Sequence, residues 1–498
     1  MRSATESVSR AALLGGAAFA LYAATLSRQP TADSLIFALM IESGGPPQLT
    51  NLRHPLLHPL AWSFVELWRL LGWTGRTLLP LQVLNALGGA ATVALVQHLA
   101  TRVTGSSWIG LAVAAGLAVS GAMWLLSTEA EFVTVPLALN LALFDLIVTA
   151  APARWARRPF LFGVGTVLGI AVGVYLSHAV LLPVAALAAH PQRTQSWRVW
   201  LQRLAWLAGG AAVPLLVVGA LLARSVGAVG RPALGTLTGW IYYGSLSWFT
   251  LPHGAYGFIR SLLLYPGLGM NDRTSAYLAA AGRVERATFA GYYALAAGLA
   301  ITPLWLAVAR RRVLLARHRR AVALLALWTL PQAAFAFYWV PGDCSFWAPV
   351  LTAWWLLVAL LLATAAHQER ALAAVAALAL ILMLVNAVLF VLPRHDLQRN
   401  RAYWIAAGTA ERTHPGDIIV TGADDILSLY LPYFVQRTVV VAGPNGTARA
   451  VDEALTRAAA RGSRVFVVGL PPPASGDHFT VRAAGQAADA PVWEVVRY

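Results

Sequence analysis

Asp33 follows directly on the first apolar run of the chain, and residues 51–59 then read Asn-Leu-Arg-His-Pro-Leu-Leu-His-Pro, so a carboxylate and the cationic group Arg53, His54 and His58 share one loop. Ionisable groups at the mouth of an apolar bundle are costly to place and usually functional. Three further polar groups fall on the same side under the topology argued below: Glu129 and Glu131 in Ser-Thr-Glu-Ala-Glu-Phe, Ser177-His178, and a long-loop set of Tyr242, Tyr243, His253, Tyr256, Arg260, Asp272 and Arg273. This residue set suits transfer of a sugar from a polyprenyl phosphate. The phosphate leaves as a weak base and needs cations rather than a general acid, whereas the incoming hydroxyl or amine must be deprotonated by a carboxylate. Asp33 is then the general base, with Glu129 and Glu131 as further catalytic candidates. Arg53, His54 and Arg260 are candidates for the donor phosphate, since guanidinium binds phosphate through paired donors. His58, His178, Tyr242, Tyr243 and His253 are candidates for substrate binding. A single base opposite the leaving group implies inversion.

Each assignment has a structural competitor. Asp33 could cap a helix beginning at Ser34, and Glu129 or Glu131 the helix that follows them. Arg53 could anchor to lipid headgroups, and His54 and His58, each before proline, could punctuate turns. His178 could satisfy carbonyls exposed by a helix break. The aromatic series around Trp240–Tyr256 also fits an interfacial belt. No His/Cys pair or Asp/Glu spacing specifies a metal. A divalent ion shared by Asp33 and the second acidic group stays open, and no cofactor is indicated.

The elements that must position these residues are membrane helices. A chain of 498 residues that is 58% hydrophobic and 12% charged, with mean hydropathy +0.63, cannot hide that much apolar surface in a soluble core. The net charge of +16 comes from arginine alone, with no lysine, clustered in short gaps between apolar runs. Membrane orientation explains this better than a nucleic-acid partner. The lone Cys344 excludes an intramolecular disulfide. The run 11–27 resembles a signal peptide but reads as a retained first span.

Spans of about 20 apolar residues are expected near 11–27, 78–100, 107–127, 132–150, 205–223, 289–309, 321–340, 346–366 and 371–393. The stretch 160–190 divides at Tyr175-Leu-Ser-His178 into a hairpin, 160–174 and 179–190, giving about 11 crossings. With that division Arg102, Arg154, Arg157, Arg158, Arg193, Arg198, Arg203, the six arginines from Arg310 to Arg320, and Arg370 lie on one side, as the positive-inside rule requires. The amphipathic stretch 56–73 is placed flat at the outer interface. The expected fold is thus a polytopic α-helical membrane protein, residues 1–393, with outer loops 28–77 and 224–288. Its N-terminus is cytoplasmic. Residues 394–498 turn to soluble composition, with runs Asp417–Thr421, Thr438–Ala442 and Arg464–Val468 alternating with helices at 424–435 and 448–461. They read as a small α/β domain with a parallel sheet on the extracytoplasmic face.

In ordered series, these segments resemble the GT-C membrane glycosyltransferases, in particular a bacterial branch related to protein O-mannosyltransferases. The resemblance runs through Asp33-Ser34 with His54-Pro55 and His58-Pro59, Glu129-Ala-Glu131-Phe with Asn140, and Tyr175–Pro183. It continues through Tyr338-Trp-Val-Pro-Gly-Asp343 and Gly416–Asp424 with Tyr430. It implies a first-loop catalytic Asp, a polyprenyl-phosphate-linked donor and an active site on the outer face of the cytoplasmic membrane. The chain departs from the branch in reading Ala-Asp-Ser-Leu-Ile around Asp33 in place of Gly-Asp-Ser-Gly-Glu, and in lacking Pro-Gly-Tyr after the first His-Pro. The partners implied are the donor, an envelope acceptor (glycan, lipid or protein) and membrane lipids. Two rival readings are a lipid or sugar transporter or flippase, which would carry charges near the span centres, and a non-catalytic subunit of envelope assembly. The sugar, the acceptor and the role of the C-terminal domain are not encoded at any recognisable position.

Overall fold

The computed structural model describes residues 2–43, 54–190, 196–229, 250–265, 278–423, 426–442, 447–472 and 479–497. Arg53, Tyr242, Tyr243, Asp272 and Arg273, all candidates above, lie outside them. The chain divides into two compact units, residues 1–26 with 40–392, and residues 27–39 with 393–498.

The first unit is a helical bundle, and a helix stands in every stretch expected to span. In chain order these are α1 (Arg2–Ala24), α2 (Ala32–Ser43, shared with the second unit), α3 (Leu57–Leu70), α4 (Leu78–Thr104), α5 (Ser107–Ala118), α6 (Gly121–Thr128), α7 (Thr134–Thr149), α8 (Arg158–Val174), α9 (Leu181–Ala188) and α10 (Trp197–Val229). Helices Thr250–Leu262, Arg283–Ala309, Arg311–Trp339, Ala348–Ala363 and Gln368–Asn386 follow. Among the described residues, five helices are long and apolar enough to cross a membrane, or six if α5 and α6, bent by 64°, form one broken span; the remaining apolar helices are shorter. The protein is a multi-pass membrane protein.

In an apolar bundle every backbone polar group must find a partner inside the protein. At the α5–α6 bend the partner is the buried Asn386. Its Nδ2 donates to Val119 O at 2.9 Å and to Leu262 O at 3.0 Å, and its Oδ1 accepts from Leu264 N at 3.2 Å. One side chain thus joins the bend, the end of the 250–262 helix and the 368–386 helix. The break expected at Tyr175–His178 is present, as a 3-10 turn at Leu176–Val180. However, α8 packs chiefly against α10, and α9 against α7 and the 311–339 helix, so the two segments diverge after the break instead of lying side by side. Helix α3 buries Leu57, His58, Ala61 and Val65 and exposes Leu60, Leu67, Leu70 and Leu71, an apolar outer surface suited to the interface.

The second unit holds a five-stranded sheet of order β2-β1-β3-β5-β4: β1 (Ile418–Gly422), β2 (Thr438–Ala442), β3 (Val465–Val468), β4 (Phe479–Ala487) and β5 (Ala490–Arg497). Strands β1, β2 and β3 are parallel as expected, but β5 and β4 add antiparallel to β3, so the sheet is mixed. Helix Thr447–Ala459 covers it through Ala450, Val451, Ala454 and Ala458. The buried Asp417 carboxylate accepts from His414 N at 2.6 Å and Arg464 Nη2 at 2.8 Å, pinning the start of β1 to the approach of β3.

Two outcomes test this packing. A Cβ on Gly165 would lie 2.1 Å from Leu207 O, and one on Gly210 2.1 Å from Phe162 O, whereas one on Gly163 would meet nothing within 4 Å. Gly165→Val is therefore expected to lower the thermal unfolding midpoint in detergent, by the equivalent of about 1–3 kcal/mol of overpacking, while Gly163→Ala leaves it in place. Burial tends to raise the Asp417 pKa, but Arg464 and the His414 amide outweigh it and hold the carboxyl below its ordinary range. A depressed native pKa gives stability that is present above the unfolded value and lost as pH falls through the native one. Hydrogen exchange of β1 and β3 should therefore be faster in Asp417→Asn than in the wild type at pH 7, and the difference should close below about pH 4.

Candidate active site

The two carboxylates of the second acidic group sit in the short extended link between α6 and α7, where Glu129 is the last residue of the α6 cap. Two bonds from α4 fix this link: Gln82 Nε2 donates to Thr128 O at 3.2 Å, and Thr134 Oγ1 donates to Asn85 Oδ1 at 2.7 Å. Neither glutamate caps α7, whose N-cap residue is Val133 with no side-chain cap bond. Both are buried, Glu129 fully and Glu131 to 4% exposure. Burying carboxylates in a membrane bundle is costly unless opposite charge is at hand.

The cation is Arg260, which is 1% exposed. Its helix, Thr250–Leu262, approaches the loop before the 348–363 helix so closely that a Cβ on Gly257 would fall 2.0 Å from Pro341 O. That proximity lets Arg260 Nη1 donate to Gly342 O at 2.8 Å. The same helix turn carries Tyr256, whose ring lies 5.5 Å from the Arg260 guanidinium, and His253, stacked on Tyr256 at 6.4 Å. The loop also buries Asp343, whose Oδ1 accepts from Ser345 N at 2.8 Å. Burial pushes the neighbouring Cys344 thiol up to about 12; Arg260 opposes the rise, and Asp343 and Glu131 add to it. Glu131, Arg260 and Asp343, far apart in sequence, therefore lie within electrostatic reach of one buried sulfur.

Next to Glu131, Phe132 begins an aromatic and histidine cluster. The His54 ring is stacked between Phe132 at 5.2 Å and Tyr175 at 4.7 Å, with His58 at 5.7 Å from Phe132 and His178 at 5.8 Å from Tyr175. The turn carrying His54 docks on α8 through Leu56 N donating to Gly173 O at 3.0 Å. His178 Nδ1 lies 2.8 Å from Ala171 O, so this ring does satisfy a carbonyl at the end of α8, as its structural reading requires. Burial keeps the His178 imidazole neutral, lowering its pKa to about 4, and lowers that of His58 in the same direction against a weaker pull from the His54 carbonyl. Neither ring supplies positive charge at neutral pH, which leaves that task to arginine. A small pocket of about 30 Å³ is lined by Phe132, Tyr175 and His178 together with Ser345 and Phe346. Asn140 also lines it, its Oδ1 accepting from Trp328 Nε1 at 2.7 Å.

Asp33 belongs to the second unit. It is exposed and lies in the first turn of α2. The cap is Thr31, whose Oγ1 accepts from Ser34 N at 3.1 Å, so Asp33 is not required for capping. The segment leading to it is clamped by the C-terminal residues: Arg28 N donates to Arg394 O at 2.9 Å, Arg394 Nη2 to Gln29 O at 2.6 Å, and Asn400 Nδ2 to Arg28 O at 2.6 Å.

Two acids escaped the sequence reading as site or scaffold residues. Asp343 entered the sequence analysis only as the last residue of the Tyr338–Asp343 segment, with no role assigned to it. Glu42 is held by Arg76, by Thr77 N at 3.0 Å and by Thr77 Oγ1 at 2.9 Å, and so ties the first loop to the start of α4. Among the described residues no group of three or more His, Cys, Asp and Glu side chains is arranged to hold a metal.

Removing one member of a buried charge cluster costs about 3–5 kcal/mol because its partners stay charged. Arg260→Met is expected to lower the unfolding midpoint markedly, and Arg260→Met/Asp343→Asn to recover part of the loss; additive effects in thermal unfolding of the four proteins would show that the two residues are not coupled.

No family model and no curated protein sequence matches this chain. Its architecture matches solved structures. ArnT from Cupriavidus metallidurans in the apo state aligns with a TM-score of 0.61 at 15% identity, over 97% of each chain. The same protein bound to undecaprenyl phosphate aligns with a TM-score of 0.59 at 15% identity, again over 97% of each. The protein O-mannosyltransferase Pmt1-Pmt2 complex of S. cerevisiae bound to the sugar donor aligns over 53% of this chain and 38% of its own at 16% identity; its TM-score of 0.36 is too low to bear on the fold. The chain therefore shares the fold of ArnT, with a helical membrane bundle in its first unit and a small sheet domain in its second.

Proposed function

We propose that this protein is a glycosyltransferase that moves a sugar from a polyprenyl-phosphate-linked donor to an acceptor on the outer face of the cytoplasmic membrane, with its N-terminus cytoplasmic and its C-terminal domain extracytoplasmic. The observation that carries the reading is the buried Arg260, held on Gly342 O one residue before the buried Asp343, in a fold shared with an ArnT bound to undecaprenyl phosphate. Arg260, with Arg53 and His54, takes the donor phosphate. Asp33 removes the proton from the acceptor hydroxyl or amine as its lone pair forms the new bond to the anomeric carbon. The old bond to phosphate oxygen breaks with its electron pair on the phosphate, which needs no proton to leave. A single displacement inverts the anomeric centre. Glu129 and Glu131 hold the reacting groups in register, and His58, His178, Tyr242, Tyr243 and His253 line the substrate.

Exposure of Asp33 outside the cap supports its role as a base, since a capping carboxylate would already be occupied. The transporter reading draws on the broken span α5–α6. Yet the carbonyl at that break is taken up by Asn386, which makes the bend a structural joint more than a cargo site.

Purified full-length protein should transfer labelled sugar from a polyprenyl-phosphate donor to an envelope extract. Asp33→Asn should reduce transfer by at least about 10²-fold, the lower range for a general base, while donor binding persists. A fully active Asp33→Asn would remove the assigned base, and movement of sugar or lipid without a new glycosidic product would instead establish transport.

A further inference from the structure

The 311–339 helix bears on the candidate site near Phe335, and about 15 residues earlier, hence about 22 Å along its axis, it carries Arg317, Arg319 and Arg320. At that opposite end two cavities share Arg319 and Arg320. The larger, about 750 Å³, is also lined by Trp155, His190, Arg203, Leu187 and Leu324. The smaller, about 350 Å³, adds Arg102, Arg317 and His318. No carboxylate is among the described residues lining either one. The 311–339 helix kinks there, at His318, whose φ of −130° and ψ of 27° interrupt it between the two sets of arginines.

Positive charge at one face is needed for membrane orientation, but orientation requires neither a cavity nor an unsatisfied buried donor. Trp155 supplies such a donor. It is 1% exposed and held edge-on against Phe160 at 5.3 Å, and its Nε1–H has no hydrogen-bond partner among the described residues. A buried donor left unpaired costs free energy, so an acceptor is expected opposite it. Arg203 lines the same cavity, its Nη1 donating to Ala189 O at 3.1 Å. Arginines, an indole donor and leucines in one recess match a ligand that is anionic and oxygen-rich at one end and apolar at the other. Basic pockets between membrane helices recognise lipid phosphates in this way.

We propose that this vestibule binds the headgroup of an anionic membrane phospholipid. Arg203, Arg319 and Arg320 compensate the phosphate charge, Trp155 Nε1–H donates to a phosphate or ester oxygen, and Leu187 and Leu324 meet the first carbons of the acyl chains. The site is separate from the sugar-transfer residues and does not depend on that reading.

The test is native mass spectrometry of the delipidated full-length protein titrated with phosphatidylglycerol, with phosphatidylcholine, and with phosphatidylglycerol in the presence of millimolar inorganic phosphate. Phosphatidylglycerol is expected to bind at least about 10-fold more tightly than phosphatidylcholine, with inorganic phosphate failing to displace it. Trp155→Phe, which keeps the ring packing and removes the N–H, should weaken binding about 5-fold or more, and Arg203→Gln likewise. Equal binding of the two lipids overturns the proposal, as does displacement by inorganic phosphate alone. Unchanged phosphatidylglycerol affinity in both variants does so too. If Trp155→Phe does not fold, Arg203→Gln decides alone.

Discussion

A membrane bundle that buries Glu129, Glu131 and Asp343 must set positive charge against them, and among the described residues the buried cation is Arg260. Much of the local architecture serves that constraint. The glycine at 257 lets the arginine helix close on the 340–347 loop, the carbonyl of Gly342 orients the guanidinium, and the α4 amides fix the glutamate link.

The second organising rule is that no backbone group goes unsatisfied away from water. Asn386 closes the α5–α6 bend, His178 closes the end of α8, and each lies where a helix ends near the site. The C-terminal unit obeys an analogous logic outside the bundle. Its residues 393–400 and Tyr430 bond the backbone of residues 28–30, giving the sheet domain a physical task that its composition does not announce: it fixes the segment from which Asp33 projects.

Spans were readable because apolar length is a local property, and the break at Tyr175–His178 because polar residues interrupt an apolar run. Strands β4 and β5 were not. Their sequences, Phe-Thr-Val-Arg-Ala-Ala-Gly-Gln-Ala and Ala-Pro-Val-Trp-Glu-Val-Val-Arg, begin or end in alanine, and their turn uses Ala488 at φ 53° where a glycine would have signalled it. The candidate residues were recognisable by type, but their grouping was not. Arg260 and Asp343 are separated by 83 positions, and only the approach of the 250–262 helix to the Pro341–Gly342 backbone brings them near each other. Asp33 had been open to a capping role; Thr31, two residues earlier, fills it, a distinction of hydrogen bonding that residue type cannot decide.

The claim at the centre of this account is that the buried guanidinium serves a phosphate-bearing lipid. The most direct measurement is the affinity of undecaprenyl phosphate for the wild type and for a folded Arg260→Gln variant, in the absence of acceptor. A drop of about 10-fold or more is expected, since a charge-assisted pair to phosphate is lost; equal affinity in the two proteins would contradict the account.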